Sequence, residues 1–211
     1  METEMEFMKY LAPLVGVVLG ALIAPWAEQR KRTYEVKSKM KTLLLEVSDL
    51  KTDAERMLDI AYETYSKSVL AEFYGLNNGY TSSYSIPRII ELYSIDQTFS
   101  EVYSSLTYEQ RNAIKSIFKI VDFINNKIEI LAESSDGEAK KLDKNAAKSI
   151  VNTLSTLIYL TSRMHYENDR FVYYRELEDK AMIEKTLEAY GYSLELTDII
   201  DRYNEGKIST K

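Results

Sequence analysis

The chain has 211 residues, room for one domain with an anchor or at most two very small domains, and its 45% hydrophobic and 28% charged residues are the balance of a globular chain rather than a disordered one. A net charge of −6 excludes a general electrostatic footprint for nucleic acid. The absence of cysteine excludes disulfides, thiolate catalysis and cysteine-based zinc sites, and the sole histidine, His165, excludes a multi-histidine metal site within one chain.

The first predicted element is a membrane span. From Tyr10 to Ala27 no residue is charged. With Phe7, Met8 and a snorkelling Lys9 the run reaches roughly 20 residues, the length a helix needs to cross the hydrocarbon core. Tyr10 and Trp26 stand near its ends, where amphipathic rings favour the headgroup level. A cleaved signal peptide fits less well: Glu2, Glu4 and Glu6 precede the run where basic residues belong, and Pro25 and Trp26 occupy the plausible cleavage positions.

Basic residues set the orientation. Arg30, Lys31, Arg32, Lys37, Lys39 and Lys41 follow the run and only Lys9 precedes it, so the positive-inside rule places the N-terminus outside and residues 28–211 in the cytoplasm of a single-pass inner-membrane protein. Arg30, Lys31 and Arg32 are then the candidate membrane-surface residues, each attracted to anionic headgroups by about 1 kcal/mol. Within the span Ala12, Gly16, Gly20 and Ala24 recur every four residues, a small-residue ridge that lets two helices approach closely. The lipid bilayer and a second copy of the chain are therefore the expected partners.

Beyond the span the fold class is all-α, a helical bundle with a long first stalk helix over about 28–74 and further helices over 87–206. Val36, Met40, Leu43, Val47, Leu50, Ala54, Met57 and Ala61 alternate steps of four and three, a heptad seam that extends through Tyr65, Val69 and Phe73 to Gly75. A helix from Trp26 to Tyr74 would be about 70 Å long at 1.5 Å per residue. Residues 75–87 read as a loop, and Pro87 suits the first turn of a short helix to Tyr93. Asp96 or Thr98 opens a second short segment ending near Leu106. Thr107 with Gln110 forms a capping box for a long helix that buries Ile114, Ile117, Val121, Ile124, Ile128 and Leu131. After a polar turn at 133–138 the next helix buries Ala147, Ile150, Leu154, Leu157, Thr161 and Met164, and the two suit an antiparallel hairpin. A helix over 175–190 is stopped by Gly191, and a last one runs from an N-cap at Thr197 to Gly206.

Chemistry is harder to find. The phosphate cradles, zinc-protease and nucleophile-elbow motifs are missing, so no enzyme is expected, and no metal or other cofactor. His165 with Asp169, one turn on, is an acid–base or metal pair only in outline. Lys140, Lys141, Lys144 and Lys148 stand where a long helix begins and read as a solvated face. Seventeen tyrosines offer large apolar bodies with one polar tip each, suited to core and subunit packing. Arg88 follows Pro87 beside Ser82, Ser83 and Tyr84, a set that can hold a small phosphorylated ligand.

Two functional expectations follow. The first is a self-associating single-pass membrane protein whose cytoplasmic bundle senses a ligand or partner and passes the change to its anchor. Small membrane effectors of bacterial stress or antiphage defence share this layout, a resemblance of architecture and not of motif. The second is a passive membrane tether or scaffold that recruits a cytosolic protein.

Overall fold

The computed structural model describes the backbone of residues 2–75, 85–136, 142–167, 170–173, 179–206 and 208; the side chains of residues 2–19, 135 and 136 lie outside that description. The described residues form helices and connections without a strand. In chain order they are α1 (Glu2–Phe73), α2 (Tyr93–Val102), a 3₁₀ turn (Tyr103–Ser105), α3 (Tyr108–Asp136), α4 (Lys144–Glu167), α5 (Asp179–Ala189) and α6 (Leu196–Asn204). Contacts divide the chain into Met1–Thr42 and Leu43–Lys211, and α1 contributes to both units.

In the first unit the described side chains of α1 are mostly exposed, with Val36 and Met40 half-buried. Arg32 reaches Glu28 at 3.1 Å and Lys31 reaches Glu35 at 4.0 Å, pairs one turn apart that add a few tenths of a kcal/mol each to an exposed helix. Leu22, Ile23 and Trp26 are 68%, 55% and 56% exposed, so the apolar surface here has little cover among the described residues.

In the second unit the seam of α1 is buried from Leu43 through Val47, Leu50, Ala54, Met57 and Ala61 to Tyr65. It then leaves the heptad. Leu58, Tyr62 and Leu70 are buried as well, whereas Val69 is half-buried and Phe73 exposed. A straight helix drifts about 20° per heptad against a 3.5-residue repeat, so a strict seam rotates away from a fixed core and neighbouring positions replace it.

The other long helices bury the faces expected of them. Ile114, Ile117, Val121, Ile124, Ile128 and Leu131 of α3 are buried, as are Ala147, Ile150, Leu154, Leu157, Thr161 and Met164 of α4. The two pack extensively on each other, and α4 also packs on α5. The capping box forms: Gln110 N–H donates to Thr107 Oγ1 at 3.1 Å and Thr107 N–H to Gln110 Oε1 at 3.0 Å. Ser155 and Thr161, fully buried, return their hydroxyls to the carbonyls of Val151 and Leu157, so neither needs a partner from another helix.

Three boundaries differ from expectation. Pro87 starts no helix: residues 85–92 have no regular secondary structure, and α2 begins at Tyr93. Proline's fixed φ fits extended chain as well as a first helical turn, and long-range bonds settle the choice here. Thr197 does not cap α6, which begins at Leu196 behind Glu195. Helix α4 has a cap the sequence pattern did not single out, Asp143, whose Oδ1 accepts from Asn145 N–H at 2.9 Å and Ala146 N–H at 3.0 Å.

Gly191 ends α5 as expected, in the left-handed region at φ 69°. Tyr192 N–H bonds to Leu187 O at 2.8 Å and Gly191 N–H to Glu188 O at 2.9 Å, the paired bonds of a Schellman motif.

Candidate functional site

Residues 85–92 matter because of what holds them. Asn125 of α3 donates from Nδ2 to Ile90 O at 2.9 Å and accepts Ile90 N–H on Oδ1 at 2.9 Å, so one amide side chain satisfies both main-chain groups of Ile90. Thr64 Oγ1 of α1 donates to Ser85 O at 2.8 Å. Pro87 and Ile90 are buried while Arg88 and Ile89 stay exposed. Replacing Asn125 by leucine is expected to strand both groups of Ile90 at a cost of about 1–3 kcal/mol. Thermal melting checks this, and Asn125→Asp should recover only the bond accepted from Ile90 N–H.

Held in this way, the segment forms one wall of a groove of about 760 Å³ whose other wall is α1. Leu50, Met57 and Ile60 of α1 meet Ile86, Ile89 and Ile95 across it. Glu46, Asp49, Asp53 and Glu91 also line it, against two cations, Arg56 and Arg88. Arg56 lies 3.5 Å from Asp53. On α1 the lining residues follow steps of three and four, so they form one stripe that runs about 21 Å from Glu46 to Ile60 at 1.5 Å per residue. Glu46 is half-buried, and its Oε2 is shielded from solvent with no hydrogen-bond partner among the described residues. Burial raises its carboxyl above the usual range; a hydrogen bond with Thr98 opposes that, and the neighbouring charge of Asp49 adds to it.

Of the residues expected to hold a phosphorylated ligand, Arg88 opens onto this groove, while Ser82, Ser83 and Tyr84 lie outside the described residues. The carboxylates around Arg88 favour a cation over an anion. Among the basic residues at the start of α4, Lys144 pairs with Glu72 of α1 and Lys148 is exposed, while Lys140 and Lys141 lie outside the described residues. Asp143 occupies the amides that an anion would use there. His165 is exposed beside Tyr166, and Asp169 lies outside the described residues. Among the described residues no group of His, Asp and Glu is placed to hold a metal ion.

Of the ridge residues, Ala12 and Gly16 lie outside the described side chains, and Gly20 and Ala24 are exposed. A Cβ added at Gly20 would meet nothing within 4 Å. Arg30, Lys31 and Arg32 are exposed, and the Arg30 guanidinium lies 4.2 Å from the centre of the Trp26 ring. Among the described residues no helix is long and apolar enough to cross a membrane; most of the uncharged run from Tyr10 to Ala27 lies outside the side chains described. No protein-family model, curated protein or solved structure matches the chain.

A second cluster joins the end of the chain to α1. The rings of Tyr62 and Tyr192 stack at 4.1 Å with 20° between planes, and the Arg202 guanidinium lies 5.5 Å and 5.1 Å from their centres. Tyr190 and Tyr192, on either side of the Gly191 turn, reach Glu55 and Asp59, carboxylates one turn apart on α1. Burial raises both phenols well above their ordinary range, and the hydrogen-bonded carboxylates raise them further, so they stay protonated as donors. Tyrosine spacing gives no hint of this, because the partners lie more than a hundred residues away.

Proposed function

We propose that the chain is a single-pass, self-associating membrane protein, with its N-terminus outside, whose cytoplasmic helical bundle receives a ligand or partner and passes the change to its anchor. The observation that carries this reading is α1. One helix contains both the uncharged run Tyr10–Ala27 and the buried stripe from Leu43 to Tyr65, and in the last turns of the run Leu22, Ile23 and Trp26 expose apolar surface bordered by Arg30. Apolar side chains exposed next to a basic cluster suit the boundary between hydrocarbon and headgroups. A helix common to anchor and bundle gives a change in one a physical route to the other.

The test is alkaline extraction of membranes from cells expressing the full chain. The wild type is expected to stay with the bilayer. Val17→Asp with Leu14→Asp should release it, since each acid near the centre of a span costs about 2.5–3.5 kcal/mol. A wild-type chain recovered in the extract would end the anchor reading. A Cβ at Gly20 meets nothing within 4 Å among the described residues, so loss of cross-linked oligomers in Gly20→Leu would report on contact between chains. Unchanged cross-linking would remove the ridge from the proposal. Membrane-potential dye on induced cells then separates an active effector from a passive tether.

A further inference from the structure

We infer that the groove between α1 and residues 85–95 docks one face of a basic amphipathic helix from a protein partner. This rests on the reading of the bundle as the receiving part and names what it receives. The floor supplies apolar side chains from both walls, the largely buried Leu50 and Met57 with Ile60 on α1 and Ile86 and Ile89 opposite, over about 15 Å from Leu50 to Ile60, the reach of nearly three helical turns. Ile89 is 54% exposed, so this apolar surface has no full cover among the described residues. The charge along the groove selects the partner's sign: Arg56 and Asp53 pair with each other, which leaves Glu46, Asp49 and Glu91 against Arg88.

The backbone selects the partner's conformation. An extended peptide docks by adding main-chain hydrogen bonds to a free edge, and Asn125 has taken both groups of Ile90 within this wall. Recognition therefore passes through side chains at helical spacing, with apolar anchors pointing inward and cations flanking them. A phosphorylated small molecule would use Arg88 but would face these carboxylates.

The experiment uses the full chain in zwitterionic phosphatidylcholine nanodiscs, with empty discs as the blank. The probe is a fluorescein-labelled Leu/Arg amphipathic peptide of about 18 residues, long enough to cover the stripe at 1.5 Å per residue. Its counterpart carries Glu in place of Arg. The Arg peptide is expected to raise anisotropy saturably and the Glu peptide not to. Asp49→Lys with Asp53→Lys, both at exposed positions, should weaken the Arg peptide at least about tenfold while the circular dichroism of the chain is unchanged. Equal binding of both peptides, or full binding to the reversed variant, would overturn the proposal. So would displacement of the peptide by inorganic phosphate that Arg88→Gln abolishes, which would make the groove an anion site. Failure here with the chain still retained by the bilayer would remove the partner and leave the anchor standing.

Discussion

Leu154→Ala is expected to destabilise the bundle by about 2–5 kcal/mol, among the largest effects of any single truncation in the chain. Leu154 has no exposed surface and sits mid-way along α4, among Ile150, Val151, Leu157 and Ile158, which are also buried. Removing its side chain loses the transfer free energy of the deleted carbons and leaves a cavity that neighbours fill only in part. Collapse is restricted here because α4 is hemmed in by α3 along one side and by α5 along another. For a domain of this size each kcal/mol lowers the melting temperature by about 2–4 °C, so the loss should be plain in a thermal scan. Tyr166→Ala, at a position 78% exposed on the same helix, is the control and should stay within about 0.5 kcal/mol of wild type. Equal losses from the two variants would mean that α4 does not face the core this way.

The buried faces of α3 and α4 were legible because burial on one side of a helix leaves a period that spacing alone reveals, from Ile114 to Leu131 and from Ala147 to Met164. The Thr107–Gln110 box and the stop at Gly191 were legible for a related reason: each is local chemistry between residues three to five apart. Residues 85–92 were not. Their conformation is set by Asn125, thirty-five positions from Ile90, and an asparagine on a helix carries no mark of what it will bond. Asp143 was not legible because it stands among lysines that read as a solvated face, whereas its carboxylate supplies the negative charge that a helix start attracts. The groove was half visible. Arg88 stood out beside a proline, but Glu46, Asp49 and Asp53 are what any solvated helix face displays, and only the opposing wall gives them a common target. The proposed anchor is read from composition along the chain, and the exposure of Leu22, Ile23 and Trp26 is the structural observation offered for it.

Tyr62→Ala is expected to cost about 3–5 kcal/mol, the range for truncating a buried aromatic ring. Tyr62 is 2% exposed, and three interactions converge on it. Its hydroxyl donates to Ser193 O at 2.8 Å and accepts Ser193 N–H at 3.4 Å, its ring stacks on Tyr192, and Arg202 covers both rings. Arg202 in turn donates to Gly191 O at 2.6 Å, so the turn after α5, the last turn of α6 and the C-terminal part of α1 meet at this one side chain. Tyr62→Phe separates the contributions. It keeps the ring and the stack and loses only the hydroxyl's bonds, for about 1–2 kcal/mol. Arg202→Met keeps much of the covering bulk and loses the cation, worth about 0.5–2 kcal/mol over a ring. Because Tyr62 and Tyr192 share partners, the losses from Tyr62→Ala and Tyr192→Ala should sum to more than the double variant loses, by about 0.5–1.5 kcal/mol for a stacked pair. Strict additivity would mean that the rings act independently. A Tyr62→Phe loss as large as that of Tyr62→Ala would shift the weight from the ring to Ser193. Either way the readout should include amide protection of α5 and α6: residues bonded across more than a hundred positions of sequence are released together only if this cluster is what fastens them to α1.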